Sequence, residues 1–293
     1  MNKEQMEVDL VQFKHKTSNL LNRLGSQLCK NSKKRHTVMS IFFCSEIKSK
    51  DNEFLKNFLK NAKIPKKKGA IIIHGPGGNT LEAIKIGLTL REHFNTDLKI
   101  MIPKIAGSAM VYITLFANQI IIPTKNAYLT TINSTVYSQD EKYGLRLIPN
   151  NLLVKTVEEK DYSVAECNRN ASEGFNKILN EGQVSVERYN KLIKIKELLK
   201  KILWKCAGFP KDTTGNMVEK LFLEERDLHH EFLDFNELKK RGFPISNVKC
   251  NTNIEKTLKQ IYDQTTSQME KHDIVFLIHY DTKIACKWSE RIS

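Results

Sequence analysis

Apolar runs that each end in a turn of small residues dominate the pattern between residues 68 and 132. Ala70 to Ile73 form the first run, and the sequence HGPGG that follows predicts a buried strand ending at a turn that only glycine can make. Apolar residues then recur at near-helical spacing from Leu81 to Leu90, which predicts a helix capped by Asn79 or Thr80.

The same order of elements then repeats. Leu98 to Ile102 predict a second buried strand, and the small residues at 106–109 predict a turn into an apolar helix from Val111 to Ala117. Gln119 to Ile122 predict a third strand. Because strand, turn and helix alternate, we expect parallel strands joined by helical crossovers.

The segments on either side of this core have weaker patterns. Residues 4–29 predict one or two amphipathic helices, residues 37–44 a strand and residues 52–62 a helix. The polar stretch from Ser134 to Leu147 predicts a mobile loop near the site. The apolar run IVFLIHY, within residues 273–288, predicts an added strand.

Further helices are predicted in the second half of the chain. They cover residues 150–160, 165–180 and 186–206, and a short helix from Phe235 to Arg241 is expected to be capped by Asp234.

Length and composition are those of an ordinary globular protein without a membrane span. The chain has 293 residues, of which 40% are hydrophobic, and contains no apolar run of the about 18 to 20 residues that cross a bilayer. The charged N-terminus has no secretory signal pattern, and the six scattered cysteines form no Cys-x-x-Cys pair, which favours reduced thiols. We therefore expect a cytoplasmic protein.

The net charge of +14 raises the question of nucleic-acid binding. The basic residues cluster at 30–35, 66–68 and 191–205, but lysine greatly outnumbers arginine and aromatic residues do not interleave with the clusters. This pattern favours a solvated lysine-rich surface, and nucleic acid is not an expected partner. His229 and His230 do not predict a metal site, because adjacent residues on a helix do not face the same side.

Ser108 has two interpretations. As the residue before a helix it is a natural N-cap, whose hydroxyl accepts a hydrogen bond from a free backbone N–H. It could instead be a nucleophile, with the N–H of Ala109 and an N–H from the turn at Gly77 and Gly78 forming an oxyanion hole. Both turns follow predicted parallel strands, at the end where open α/β sheets bind their ligands.

The two turns also carry a resemblance to a known family. Residues 74–78 and 106–109 resemble the His-Thr-Pro-Gly-Gly turn and the nucleophile turn, Ala-x-Ser-Ala/Gly-Gly-Thr, of the serine dehydrogenase proteinase family. That family belongs to the signal peptide peptidase A and Clp protease group. The likeness covers about residues 35–250, with Gly75 where the family has threonine and Met110-Val111 where it has Gly-Thr.

This resemblance implies both a fold and an activity. The fold would be an α/β, crotonase/Clp-protease-like repeated β-β-α superhelix with a parallel sheet and added N-terminal helices. The activity would be that of an ATP-independent serine peptidase with a Ser-Lys dyad and a backbone oxyanion hole. It would act on peptides or unfolded proteins, need no cofactor or metal, and form a homo-oligomer. The expected organisation is an N-terminal helical segment (1–34), a peptidase domain (35–250) and a C-terminal helix with an added strand (251–293).

Two other functions share this fold. One is a catalytically weakened homologue that binds peptides or a partner protein through the same cleft, for which Met110 beside the oxyanion hole is the relevant feature. The other is an acyl-coenzyme A enzyme of the crotonase type, which has no need for a serine at position 108.

The general base for Ser108 is expected to be a lysine, because no histidine occurs between residues 94 and 228. Relatives of signal peptide peptidase A use a lysine, which must be desolvated to be neutral. On a helix from residue 151 to 160, Lys160 projects onto the apolar side and Lys155 onto the opposite side. Lys160 is therefore the first candidate and Lys155 the second, ahead of Lys125 and Lys142.

Overall fold

The computed structural model describes residues 3–28, 36–66, 68–122, 127–130, 135–140, 144–149, 232–240, 245 and 252–289. The helices are α1 (Lys3–Leu28), α2 (Asp51–Asn61), α3 (Thr80–His93), α4 (Met110–Thr114), α5 (Phe235–Lys240) and α6 (Thr252–Lys271). The strands are β1 (Thr37–Phe43), β2 (Lys68–His74), β3 (Asp97–Met101), β4 (Ile105–Ala106), β5 (Gln119–Ile121), β6 (Tyr128–Thr130), β7 (Thr135–Asp140), β8 (Gly144–Pro149), β9 (Phe232–Leu233), β10 (Ile274–Tyr280) and β11 (Lys283–Trp288). Contacts divide the chain into one unit formed by Met1–Thr130 with Phe232–Ser293 and another formed by Thr131–Glu231.

The fold of the first unit is mixed α/β, with a mostly parallel central sheet. Its six strands lie in the order β11-β10-β1-β2-β3-β5. Strands β1, β2, β3 and β5 are parallel, whereas β10 pairs antiparallel with β1 and β11 antiparallel with β10. A second sheet in this unit has the order β4-β6-β9. The predicted parallel strands with helical crossovers are thus confirmed.

Helices cover both faces of the central sheet. Phe13 and Leu24 of α1 and Leu258 of α6 share one core cluster with Phe42 and Ile72 of the sheet. Because successive side chains of a strand point to opposite faces, the neighbouring strand residues build a second core.

That second core lies against α2 and α3. Phe43 stacks on Phe276 at 4.1 Å between ring centroids, and Phe54 of α2 lies 5.2 Å from the Phe276 ring. The Phe94 ring, just after α3, fills the space beside Gly69. Strands β1 and β2 are nearly continuous apolar runs because both of their faces are covered in this way.

Most predicted elements around the two turns have the expected type and position. Helix α3 is capped by Asn79, whose side chain accepts a hydrogen bond from the Glu82 N–H. The cap of α5 by Asp234 is also confirmed, since its carboxylate accepts from the Glu237 N–H at 2.9 Å. The N-terminal residues form one long helix, and the predicted helix from Val111 to Ala117 is shorter and begins at Met110.

One prediction outside this region needs correction. The loop predicted from Ser134 to Leu147 is wrong, because this segment contributes most of the antiparallel hairpin β7-β8 in the second unit. The added strand predicted for IVFLIHY is confirmed as β10, which lies directly beside β1, and a further strand, β11, follows it. The helices predicted at 150–160, 165–180 and 186–206 lie outside the described residues.

Within the described ranges, no helix is both long enough and apolar enough to cross a membrane.

His279 is a fully buried histidine on β10. Its Nε2–H donates to the Asp281 carbonyl at 2.6 Å, and its ring lies 5.6 Å from the Phe13 ring. Burial lowers the pKa of His279 to about 4, although its hydrogen bond to Asp281 and the Asp281 carboxylate oppose the shift; Lys14 adds to it. The ring is therefore neutral at pH 7.

We expect the free energy of unfolding to fall as the pH is lowered from about 7.5 to about 5. The unfolded chain, in which histidine has a pKa of about 6.5, binds a proton that folded His279 excludes, so this contribution is complete above pH 6.5 and is lost below it. The free energy of unfolding that His279 alone removes over this interval is about 2 kcal/mol. Urea unfolding of His279→Gln should show a smaller pH dependence, whereas exposed His15→Gln should match the wild type. Equal pH dependence in all three proteins would contradict this prediction.

Candidate active site

The glycine turn after β2 has a backbone that only glycine adopts readily. Gly77 has φ 119° and Gly78 has φ 125°, both outside the range of ordinary L-residues. The turn is fixed to the segment before α2, because the Ile47 N–H donates to the Gly77 carbonyl at 2.6 Å and the Asn79 N–H donates to the Ile47 carbonyl at 2.9 Å. The first turn is thus held on one side by hydrogen bonds to Ile47.

The serine turn after β4 is joined to the glycine turn by backbone hydrogen bonds. The Gly75 N–H donates to the Ile105 carbonyl at 3.2 Å, and the Gly107 N–H donates to the Gly75 carbonyl at 2.9 Å. Ser108 itself has φ 44°, in the left-handed region that residues other than glycine seldom adopt. The two turns therefore form one continuous piece of backbone structure.

The closest approach between the two turns is at Gly77. A Cβ atom at this position would lie 2.7 Å from the Gly107 carbonyl oxygen, 2.7 Å from the Ser108 Cβ and 2.9 Å from the Ala109 nitrogen. A Cβ at Gly107 would lie 2.5 Å from the Pro76 carbonyl oxygen. The structure thus brings together Gly77, Ser108 and Ala109, the three residues that sequence reasoning assigned to the nucleophile and the oxyanion hole.

Two backbone N–H groups at this contact have no acceptor in the described part of the chain. They belong to Gly77 and Ala109, whereas the Ser108 N–H donates to the Thr130 Oγ1 at 2.6 Å. Unpaired N–H groups are uncommon, and a pair of them beside a serine can stabilise the oxyanion of a tetrahedral intermediate.

The Ser108 side chain does not cap α4. The N-cap of α4 is Ala109, with no side-chain capping bond, so the capping interpretation of Ser108 is wrong. Ser108 is half-buried, and its hydroxyl makes no hydrogen bond to any residue that the structure describes. Among the residues that the structure describes, the serine hydroxyl is therefore available for another partner.

Met110, which follows the proposed oxyanion donor, belongs to the core. Its side chain is fully buried, as are the other side chains of α4. Its N–H donates to the Gly107 carbonyl at 2.9 Å, which closes the serine turn. The bulky residue found in place of the family's glycine thus packs into the interior.

His74, at the end of β2, is neutral at pH 7. Burial lowers its pKa to about 4; a hydrogen bond from its Nδ1 to the Ile105 carbonyl at 3.2 Å opposes this shift, and the charge of Lys104 adds to it. The ring also contacts Phe42 and meets Tyr262 edge-on at 4.9 Å between centroids. His74 is therefore a packed residue beside the glycine turn.

Sequence reasoning missed two residues near these turns. Thr130 lies 22 positions after Ser108, and no local pattern links the two residues. Tyr262 lies on α6, in a segment that we expected to be an addition to the main domain. Lys155 and Lys160, the candidate bases, lie outside the described residues, as do Lys125 and Lys142.

We expect Gly77→Ala to destabilise the fold by about 3 kcal/mol, because alanine at φ 119° is strained and its Cβ would collide with backbone atoms of the serine turn. Chemical denaturation monitored by circular dichroism measures this effect. Gly25→Ala in α1 is the matched control: its Cβ would meet only the Val38 side chain closely, and alanine favours helix by about 1 kcal/mol. Equal stability of Gly77→Ala and the wild type would mean that the two turns are not in contact.

A comparison with protein-family models and with curated protein sequences finds no match for this chain.

Proposed function

We propose that this protein is a serine peptidase in which Ser108 is the nucleophile and the N–H groups of Gly77 and Ala109 form the oxyanion hole. The observation that carries the proposal is the contact of the two turns. Within the described ranges, the Ser108 hydroxyl has no hydrogen-bonded partner, and the serine lies beside two backbone N–H groups that have no acceptor there. The arrangement of strand, glycine turn, helix, strand and serine turn supports a crotonase/Clp-protease-like superhelix.

The chemistry follows from these groups. The Ser108 hydroxyl attacks the carbonyl carbon of a peptide bond and transfers its proton to a base, while the carbonyl oxygen becomes an oxyanion that accepts hydrogen bonds from Gly77 and Ala109. Each such donor lowers the barrier by about 3 to 4 kcal/mol. The tetrahedral intermediate then collapses, the C–N bond breaks and the base returns its proton to the leaving amine, which leaves an ester on Ser108. Water, deprotonated by the same base, hydrolyses this acyl-enzyme and restores the serine hydroxyl, so the reaction needs neither a cofactor nor ATP.

A lysine is the proposed base, with Lys160 ahead of Lys155. His74 is a poor candidate because one ring nitrogen is bonded to the Ile105 carbonyl and the ring packs against Phe42 and Tyr262. A neutral lysine amine can accept the serine proton when burial lowers its pKa. The proposed substrates are peptides or unfolded proteins.

A second candidate function is binding of peptides without turnover. It is favoured by one observation: no acidic or basic side chain within the described ranges forms a hydrogen bond with the Ser108 hydroxyl. In this case the same turns would hold a peptide carbonyl oxygen without activating the serine.

A fluorophosphonate probe distinguishes the two functions, because it reacts with an activated serine and not with an ordinary one. We expect the probe to label the protein at one site, with the modified peptide containing Ser108, and we expect a fluorescently labelled unfolded protein to be cleaved. Binding of the unfolded protein without labelling or cleavage would favour the second function. Labelling at another serine would exclude Ser108 as the nucleophile.

A further inference from the structure

Thr130 lies at the end of β6, the middle strand of the β4-β6-β9 sheet, and is 5% exposed. Its Oγ1 accepts a hydrogen bond from the Ser108 N–H at 2.6 Å. Its neighbour Leu129 pairs with Ala106 on one side and Leu233 on the other, so the backbone next to Thr130 is fixed by two strands. A side chain on this rigid strand therefore reaches the serine turn.

We infer that Thr130 is the positioning residue that holds Ser108 in its reactive conformation, an inference that rests on the proposed peptidase function. Thr130 accepts a hydrogen bond from the backbone N–H of the nucleophile and does not contact the substrate, whereas Ser108, Gly77 and Ala109 take part in the reaction. Its contribution is to fix a peptide plane on which both the nucleophile and one oxyanion donor depend.

The Ser108 backbone needs such support because its φ of 44° is unfavourable. The left-handed conformation costs a residue other than glycine about 1 to 2 kcal/mol. In the serine turn, the N–H groups of Gly107 and Met110 donate to backbone carbonyls, whereas the Ser108 N–H donates to a side chain. This hydrogen bond is therefore the part of the turn that a single side-chain substitution can remove.

Fixing the Ser108 N–H has consequences for the next peptide. The peptide plane between Gly107 and Ser108 is held at both ends, by the N–H bond to Thr130 and by the bond from the Met110 N–H to the Gly107 carbonyl. From this plane, the φ of Ser108 sets the direction of the Ser108 Cα–Cβ bond, and its φ and ψ together set that of the following Ala109 N–H. Loss of the Thr130 acceptor should therefore disturb the serine hydroxyl and one oxyanion donor together, and lower kcat more than it changes KM.

Thr130→Val tests this inference, because valine has nearly the same shape and lacks the acceptor. Thr130→Ser keeps the hydroxyl, and Thr89→Val is a matched control: Thr89 is also buried, and its hydroxyl donates to Asn52 Oδ1 at 2.7 Å, in a bond that does not involve either turn. We expect Thr130→Val to lower kcat and the rate of fluorophosphonate labelling by about 10- to 100-fold with KM within about twofold. Thr130→Ser should recover most of the rate, and Thr89→Val should lower stability without changing either rate. Rates in Thr130→Val equal to those of an active wild type would overturn the inference.

Amide hydrogen exchange of Ser108 separates this inference from the proposed function. We expect Thr130→Val to accelerate exchange at the Ser108 amide by at least about 10-fold, and Thr130→Ser to leave it unchanged. If the wild type is neither labelled nor hydrolytic, the peptidase function has failed and the catalytic role of Thr130 fails with it, while the exchange rate still reports whether Thr130 holds the turn. Unchanged Ser108 exchange in Thr130→Val would overturn the positioning role in either case.

Discussion

Replacing Ser108 by alanine should abolish hydrolysis of an unfolded protein and labelling by the fluorophosphonate probe, with kcat reduced by at least about 10⁴-fold. The physical reason is that alanine has no oxygen to attack the carbonyl carbon, whereas the N–H groups of Gly77 and Ala109 remain in place. Their retention leaves substrate binding nearly unchanged, so the loss should appear in kcat. Hydrolysis is measured by the release of fluorescent peptides from the labelled substrate.

Two further measurements make this result specific. Ser289→Ala, a change at an exposed serine after β11, should retain full activity. The Ser108→Ala protein should unfold at the same urea concentration as the wild type or at a slightly higher one, because alanine removes a hydroxyl with no hydrogen-bonded partner in the described part of the chain. Activity that survives Ser108→Ala would exclude the serine peptidase function.

Replacing Lys160 by alanine should reduce kcat by about 10³-fold or more, because Ser108 would lose the base that accepts its proton. The reason for choosing Lys160 is its projection onto the apolar side of the helix predicted at 151–160, where burial would keep its amine neutral. Lys155→Ala is the matched control, since it removes the same type of side chain from the opposite side of that helix. Comparison of kcat for the two variants measures the effect.

The same two variants also test Lys155 as the base. Undiminished hydrolysis in Lys160→Ala together with loss in Lys155→Ala would assign the base to Lys155. Full activity in both variants would exclude Lys160 and Lys155 as the base of a Ser-Lys dyad. The pH at which kcat falls to half its maximum should then report a different base.

The elements around the two turns could be predicted because local patterns determine them. The apolar run at β2 and the glycines after it identify a buried strand and a turn, and Asn79 identifies the start of α3. The sequence also predicted that Gly77 and Ser108 share one site, on the expectation that both turns follow strands of one parallel sheet. In the structure the serine turn follows β4 of the second sheet, and a parallel bridge between Gly75 and Ala106 joins the two turns.

What the sequence did not predict depends on partners far apart in the chain. The pairing of β10 with β1, and the bond from Ser108 to Thr130, require residues that no periodic pattern relates. The hairpin β7-β8 was missed because the polar residues from Gln139 to Lys142 indicated a loop, and polarity alone does not distinguish a loop from a strand.

The position of β10 beside β1 also determines when this sheet can be completed during synthesis. β1 is made well before β10, the strand that covers its second edge, and Ser18 and Asp281, which are hydrogen-bonded across this region, are 263 positions apart. At a translation rate of roughly 5 to 20 residues per second, the apolar edge of β1 stays open for roughly 10 to 50 s on the ribosome. An open apolar strand edge is a template for aggregation, so the nascent chain should depend on a chaperone until β10 has left the ribosome and paired with β1.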